Sequence, residues 1–229
     1  MKKIGIIGGL GPLATVDFFN KIVQNTDANI DQENVPILIY NNPQIPDRTE
    51  SILHGGESPV NEIVQTAVVL EKMGADFLTI PCNTSFYYYD EIVKNLKLPL
   101  INMLDLTADY LKLNNFKHVC ILGTEGTLRT RIYHDKFKDK GIGFIEIDDE
   151  MIGLLSFVIY DVVKKNDFNV DISKFREKLE SIAAKQNVDA FVLACTELPI
   201  LFEKFNLEFN TVDPTLLLAL ESIRLSKRV

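Results

Sequence analysis

Two cysteines are the residues in this sequence whose type and placement best fit acid–base chemistry. Cys82 and Cys195 each come near the end of an apolar run, and each follows an aspartate, Asp76 or Asp189, at the same spacing. A thiol just past the carboxyl end of a strand and before a helix has its thiolate favoured by the helix dipole. We therefore treat both as candidate catalytic residues, with a buried hydrophobic role as the alternative.

The residues that follow the two thiols are also alike. They are short polar or acidic side chains: Asn83, Thr84, Thr196 and Glu197. Helix capping explains each of them singly, but two such groups at matched places favour a shared role in binding a substrate. The third cysteine, Cys120, lies inside an apolar run and is predicted to be a small core residue.

A glycine-rich segment after the first predicted strand favours anion binding. Gly9-Leu-Gly11-Pro-Leu-Ala matches the dinucleotide pattern, but no acidic residue ends the second strand to bind a ribose. We interpret it as a turn whose backbone N–H groups, that of Gly11 included, bind a small anion. Thr124 and Thr127 belong to the corresponding turn in the second half. A tight strand-to-helix turn without a ligand is the alternative for both.

Two basic residues are candidates for binding carboxylates. Arg48 lies in the longest predicted loop, residues 41–50, and a guanidinium suits bidentate contact with a carboxylate. Lys164 ends a predicted apolar helix. Each also has a structural alternative, because loop arginines are usually solvated and lysines favour helix carboxyl ends.

The composition excludes several classes of function. The chain has 229 residues and a net charge of −8 without a basic block, which disfavours nucleic-acid binding. Its apolar runs are too short for a membrane span or a signal peptide. Three sparse cysteines and three scattered histidines predict neither disulfides nor a metal site. We expect a cytoplasmic protein that acts on a small molecule without a cofactor.

The elements that must position these residues alternate between strands and helices, which predicts an α/β fold with parallel strands. Strands are predicted at 3–7, 36–40, 77–80, 98–101, 118–122, 143–147, 190–193 and 208–212. Helices are predicted at 13–25, 60–73, 85–95, 104–113, 128–138, 151–164, 173–186 and 214–224.

A weak internal repeat indicates two similar lobes. Residues 4–15 align with 119–130, matching Gly8 to Gly123, and the two cysteine segments align at nearly the same offset. We predict two pseudo-symmetric lobes, each a parallel four-stranded sheet flanked by helices: residues 1–103 with 214–229, and residues 104–213. Ligands of open α/β sheets bind at strand carboxyl ends. The expected active site is therefore an interlobe cleft with Cys82 and Cys195 on opposite walls.

Five segments together resemble the aspartate/glutamate racemase family, most closely its aspartate racemases. They are residues 8–12, 46–48, 81–84, 122–124 and 195–197. The chain departs from the family pattern at two places. Ser85-Phe86 stands where the family commonly has Ala-His, and Ala194 stands where it commonly has Gly. Neither departure removes a thiol.

The resemblance implies cofactor-independent racemisation of aspartate or glutamate by two cysteines, one acting as thiolate base and the other as thiol acid. It also implies a homodimer, a carboxyl-terminal helix that packs on the first lobe, and contacts of Arg48 and Lys164 with substrate carboxylates. Each sulfur would approach Cα to roughly 3–3.5 Å, which predicts about 7 Å between the sulfurs.

Two other functions remain open at this point. One is a related cysteine-dependent decarboxylase or cis–trans isomerase of dicarboxylic acids. The other is a non-catalytic module that binds acidic amino acids.

Overall fold

Two parallel β-sheets organise the chain, one in each of two units that its internal contacts define. The structure is a computed structural model that describes residues 1–185 and 187–228. Unit 1 consists of Met1–Met103 and the chain from Thr215 onward, and unit 2 consists of Leu104–Pro214. The α/β class with two parallel sheets, as predicted from the sequence, is confirmed.

The sheet of unit 1 contains three strands: β1 (Ile4–Gly8), β2 (Ile37–Asn41) and β3 (Phe77–Thr79). Their order is β2-β1-β3, and both pairings are parallel. Strand β1 is buried along its whole length, as the apolar composition of a central parallel strand requires.

The prediction of a fourth strand at residues 98–101 is wrong. That segment makes a single bridge beside β3, between Leu78 and Leu100. The Pro99 carbonyl accepts from the Leu78 N–H at 2.8 Å. Because proline has no N–H of its own, it cannot continue the hydrogen-bond ladder.

Unit 1 surrounds its sheet with helices and short turns. They are α1 (Pro12–Asn25), α2 (Arg48–His54), α3 (Val60–Lys72), α4 (Tyr89–Lys94), 3₁₀ turns at Asp31–Glu33 and Thr84–Tyr88, and the carboxyl-terminal helix Pro214–Lys227. The Lys2 N–H donates to the Ser226 carbonyl at 2.9 Å, which ties the last helix to the start of the chain.

The predicted loop 41–50 includes the first three residues of helix α2, and the structure corrects this. The Asp47 carboxylate caps the helix by accepting from the N–H groups of Thr49 at 2.8 Å and Glu50 at 3.1 Å. Gly55 ends it in the left-handed conformation, with φ of 69°. Asp and Gly are strong signals for a helix start and end, so the sequence carried the information.

The sheet of unit 2 contains four strands: β4 (His118–Gly123), β5 (Gly143–Ile145), β6 (Ala190–Ala194) and β7 (Thr211–Val212). Their order is β5-β4-β6-β7, again with parallel pairing throughout. The inner strand β6 is completely buried, and β5 forms one edge.

The helices of unit 2 are α5 (Met103–Leu113), α6 (Glu125–Arg129), α7 (Ile132–Asp139), α8 (Asp149–Ser156), α9 (Ser173–Lys185) and α10 (Glu197–Lys204), with a π-helical segment at Phe157–Val163. The predicted helix 128–138 is two helices, because Arg131 adopts a left-handed backbone with φ of 59°. Helix α10 was not predicted. Gln186, the predicted end of helix 173–186, lies outside the described residues.

The two aspartates of the sequence repeat do the same structural work in the two units. The Asp76 carboxylate accepts from the Lys3 N–H at 2.6 Å, just before β1. The Asp189 carboxylate accepts from the N–H groups of Lys117 and His118 at 2.6 and 2.8 Å, at the start of β4. Those bonds lower the pKa of Asp189. The aspartate that begins each aspartate-to-cysteine segment therefore has a structural role, which is to accept hydrogen bonds from the backbone near the start of β1 or β4.

Across residues 1–185 and 187–228, no helix combines the length and apolar character that a membrane crossing needs.

Candidate active site

The glycine-rich turn of unit 1 connects β1 to α1. Gly9 has φ of 97°, and a Cβ there would lie 2.3 Å from backbone atoms of Asn42, so only glycine fits. Its N–H donates to the Thr15 hydroxyl at 2.9 Å, so this donor is used within the turn. Gly11 is the N-cap of α1, and Pro12 lies in the first helical turn as predicted.

Arg48 is a buried residue rather than a solvated loop residue. It begins α2 and is only 7% exposed. Its Nη1 donates to the Pro46 carbonyl at 3.0 Å, and its Nη2 donates to the Leu10 carbonyl at 3.1 Å. The second bond attaches the guanidinium to the glycine-rich turn, and its positive charge is thereby held at the carboxyl end of β1.

Cys82 lies just beyond the carboxyl end of β3. The thiol residue is 5% exposed, and Asn83 and Thr84 after it are buried as well. Since β1 and β3 are parallel neighbours, the glycine-rich turn and Cys82 follow strand ends on the same edge of the sheet. The predicted helix after Cys82 starts instead as the 3₁₀ turn Thr84–Tyr88.

The element that carries Arg48 also contacts the segment after Cys82. The Ser51 hydroxyl of α2 lies 2.7 Å from the Tyr88 hydroxyl in the 3₁₀ turn. Within that turn, Ser85 and Phe86 are buried, at 0% and 5% exposure. The two residues that depart from the family pattern therefore pack in the interior of unit 1, close in sequence to the thiol.

Thr124 and Thr127 form a capped turn at the carboxyl end of β4. The Thr124 hydroxyl accepts from the Thr127 N–H at 3.2 Å, and the two hydroxyl oxygens lie 3.1 Å apart. A Cβ on Gly123 would lie 3.0 Å from the Ala194 carbonyl, so the ends of β4 and β6 approach closely. This turn thus stands on the same sheet edge as Cys195.

Cys195 follows β6 and makes a direct contact with a carboxylate. Its thiol donates to Oε2 of Glu197 at 3.0 Å, and the Thr196 hydroxyl donates to the same oxygen at 3.1 Å. All three residues are buried, with exposures of 5%, 2% and 3% in chain order. Glu197 is predicted to bind substrate, and the structure places its carboxylate against the thiol.

The environment of Cys195 stabilises its protonated form. Burial raises the pKa of the Cys195 thiol well above its usual range, and the Glu197 charge and hydrogen bond raise that pKa further. Lys164 opposes this by electrostatic attraction to the thiolate, and its effect is smaller. The expectation that the Cys195 thiolate is favoured is therefore wrong, because burial and then the Glu197 carboxylate at that helix start both favour the protonated thiol.

Cys120 behaves as the sequence predicts. It lies inside β4 with no exposed surface, and burial raises the pKa of its thiol to about 12.

Lys164 comes directly after the π-helical segment of unit 2. Its Nζ lies 4.3 Å from the centroid of the Tyr160 ring, within cation–π distance. π-helical turns are rare and occur frequently at functional sites. Neither this turn nor Tyr160 was identified from the sequence, because the apolar pattern of residues 151–164 fits an ordinary helix equally well.

Metal binding was tested on the described part of the chain. It contains no group of three or more His, Cys, Asp or Glu side chains that could hold a metal ion.

Comparisons with known proteins agree over nearly the whole chain. Residues 7–221 match the family model described as Asp/Glu/Hydantoin racemase. The broad specificity amino-acid racemase RacX of Bacillus subtilis is 28% identical over 224 residues, which cover 96% of each chain. A solved structure of the aspartate racemase of Picrophilus torridus is 38% identical and superposes with a TM-score of 0.85, covering 99% of this chain and 94% of that one.

A more distant solved structure shares the fold alone. Glutamate racemase from Francisella tularensis, solved with D-glutamate, is 18% identical with a TM-score of 0.71, covering 98% of this chain and 80% of that one.

Proposed function

We propose a two-thiol mechanism for this chain, which belongs to the Asp/Glu/hydantoin racemase family and is a racemase. The resemblance inferred from the sequence is thus confirmed. In the proposed reaction the substrate is an acidic amino acid, aspartate first and glutamate second. Cys82 and Cys195 exchange protons with its Cα, and no metal or organic cofactor takes part.

The observation that carries this proposal is the matched position of two buried thiols. Cys82 follows the edge strand β3, whose parallel neighbour β1 ends at Gly8. Cys195 follows the inner strand β6, whose parallel neighbour β4 ends at Gly123. Racemisation removes a proton from one face of Cα and returns one to the other face. Two groups can do this without movement of a single base around the substrate.

The proton balance assigns complementary states to the two thiols. In one direction, the Cys82 thiolate removes the α-proton and the Cys195 thiol delivers its own proton to the opposite face. This leaves a Cys82 thiol and a Cys195 thiolate, and the other enantiomer reacts from those states. The raised pKa of Cys195 supports its role as the acid in the first direction, and Lys164 is suited to stabilise the thiolate that results.

Carbanion formation without a cofactor needs donors that stabilise the developing charge. We propose that Arg48 and Lys164 bind the substrate carboxylates. Further donors in this proposal are polar groups at the same strand ends: Gly11, Asn83, Thr84, Thr124, Thr127 and Thr196. Glu197 acts through Cys195 rather than on the substrate.

Incubation with L-aspartate in D₂O tests the reaction class. We expect loss of the α-proton signal in NMR spectra together with formation of D-aspartate, unchanged by a chelator, and the Cys120→Ser variant should behave like the parent. Loss of a carboxyl group would indicate a decarboxylase, and saturable binding without exchange would indicate a binding module. L-Glutamate and a neutral amino acid are run in parallel, because the Bacillus relative is described as having broad specificity.

We also propose that the racemase is a cytoplasmic homodimer. Helix α1 exposes three apolar side chains at helical spacing, Val16, Phe19 and Val23, with exposures of 63%, 41% and 42%. Such a stripe suits association with a second copy. Light scattering after size exclusion should give a dimer for the parent chain and a monomer for Phe19→Glu.

A further inference from the structure

A cavity of about 260 Å³ in unit 2 is separate from the residues of the proposed reaction. It lies beyond the carboxyl end of the edge strand β5, where the chain leaves the sheet toward α8. Isoleucine side chains dominate its apolar lining: Ile121, Ile145, Ile147 and Ile152. Open α/β sheets bind ligands at such strand ends. None of the candidate catalytic or substrate-binding residues lines this cavity.

The polar side of the cavity carries charges of both signs. Nη2 of Arg131 donates to Oε1 of Glu146 at 2.8 Å, and both side chains are about half exposed. Exposed ion pairs of this kind add little stability in water. A guanidinium has five N–H donors, and Glu146 engages one nitrogen of this group. A ligand can therefore join or replace the pair at small cost.

The backbone at Arg131 is unusual in a way that serves the cavity. Its φ of 59° is left-handed, which is uncommon for a residue other than glycine, asparagine or aspartate. This conformation lies between α6 and α7, and the Arg131 guanidinium lies 5.6 Å from the centroid of the Phe144 ring. Strained residues of this kind cluster at functional sites, and Arg131 is one of the residues that line the cavity.

His134 contributes a second polar residue to the cavity wall. It lines the cavity and is 4% exposed, and its buried Nδ1 has no hydrogen-bond partner in the described structure. Its Nε2 lies 3.9 Å from Oε2 of Glu146. Burial and the neighbouring Arg131 lower the pKa of His134, so the ring is neutral near pH 7 and can either donate or accept.

We propose that this cavity binds a free α-amino acid with an aliphatic side chain. The α-carboxylate contacts the Arg131 guanidinium, the α-ammonium contacts the Glu146 carboxylate, and the side chain packs against the four isoleucines. A second carboxylate on the ligand would lose its hydration against that apolar lining. Acidic amino acids, the proposed substrates of the racemase, are thereby excluded from this site.

L-Leucine titrated into protein with ¹³C-labelled isoleucine δ1-methyl groups tests the site directly. We expect saturable shifts at the four lining isoleucines and none at Ile80 or Ile200, which flank the two cysteine segments. 4-Methylpentanoate lacks the ammonium and 3-methylbutylamine lacks the carboxylate. Each should bind at least about tenfold more weakly, because each loses a charge-assisted contact.

Variants separate this site from the reaction. Arg131→Asn keeps a residue that tolerates the left-handed backbone and should bind leucine at least about tenfold more weakly, with aspartate turnover unchanged. Glu146→Gln should do the same, and Cys195→Ser should bind leucine as the parent chain does. Three results each overturn the proposal: no shifts, shifts only at Ile80 or Ile200, or equal affinity for leucine and both analogues.

Discussion

The segments around Cys82 and Cys195 have matching positions and different chemistry. Both thiols are buried and follow strands that pair with a glycine-ended neighbour. After Cys82 come an amide and a hydroxyl in a 3₁₀ turn, whereas after Cys195 a buried carboxylate accepts the thiol proton in a hydrogen bond at 3.0 Å. A repeated backbone therefore places the two thiols at matching strand ends with different side chains around them.

The largest effect is expected when either of the two cysteines is replaced. Cys82→Ser and Cys195→Ser should each reduce racemisation by roughly 10²–10⁴-fold, the usual contribution of a general acid or base. Serine stays protonated where a tuned thiol ionises. Each variant should still exchange the α-proton of one enantiomer with D₂O. Cys120→Ser is the control with normal turnover, and full racemisation by either active-site variant would contradict the two-thiol mechanism.

Arg48 offers the next largest effect. Arg48→Ala should lower kcat/KM for aspartate by about 10- to 100-fold, since a hydrogen bond to a charged group contributes about 1.5–3 kcal/mol. Arg48→Lys should recover part of the loss because it keeps the charge without the fork of donors. Arg224→Ala, on the exposed side of the carboxyl-terminal helix, is the control. Circular dichroism separates a folding defect from a binding defect, and normal kinetics in Arg48→Ala would contradict substrate binding by this residue.

Glu197→Gln tests the difference between the two thiols most directly. The carboxylate raises the pKa of Cys195, so its removal should lower that pKa. In the direction that uses the Cys195 thiol as acid, activity should then fall at a lower pH than in the parent. In the opposite direction, where its thiolate is the base, activity should begin at a lower pH.

The pH profiles of kcat/KM for the two enantiomers measure these shifts. Glu203→Gln, exposed later in α10, is the matched control. Identical profiles for Glu197→Gln and the parent would show that the contact does not govern the thiol.

The smallest effect is expected at Tyr160. The ring faces the Lys164 ammonium at 4.3 Å, and such contacts contribute about 0.5–1 kcal/mol at exposed sites. Tyr160→Leu should therefore raise KM for aspartate about two- to fivefold with little change in kcat. Tyr160→Phe keeps the ring and should resemble the parent chain. An equal loss in both variants would assign the effect to the hydroxyl group.

The sequence predicted the fold best at strands that are buried along their whole length. Strands β1 and β6 are continuous apolar runs, and the α/β class with parallel sheets follows from them. Prediction failed where a single residue changes the outcome. Pro99 removes a donor from a strand, Arg131 breaks a helix by its backbone conformation, and Asp47 starts a helix inside an apparent loop.

The contact between Cys195 and Glu197 was beyond the reach of sequence patterns. The residue spacing identified Cys195 as a candidate and Glu197 as its near neighbour in sequence. The role predicted for Glu197 was binding of substrate. The raised pKa depends on burial of the thiol and on the side-chain rotation that turns Oε2 of Glu197 toward the sulfur. Both depend on tertiary packing, which cannot be derived from residue spacing in a single sequence.

The π-helical segment Phe157–Val163 affects where Lys164 lies around the helix axis. A π-bulge amounts to one extra residue within an α-helix, and each residue of an α-helix advances by about 100° around the axis. Lys164 comes directly after the segment, so its angular position relative to α8 depends on that insertion. A one-residue deletion there would rotate Lys164 by about 100° around the helix axis, and its electrostatic effect on the Cys195 thiol would change with that rotation.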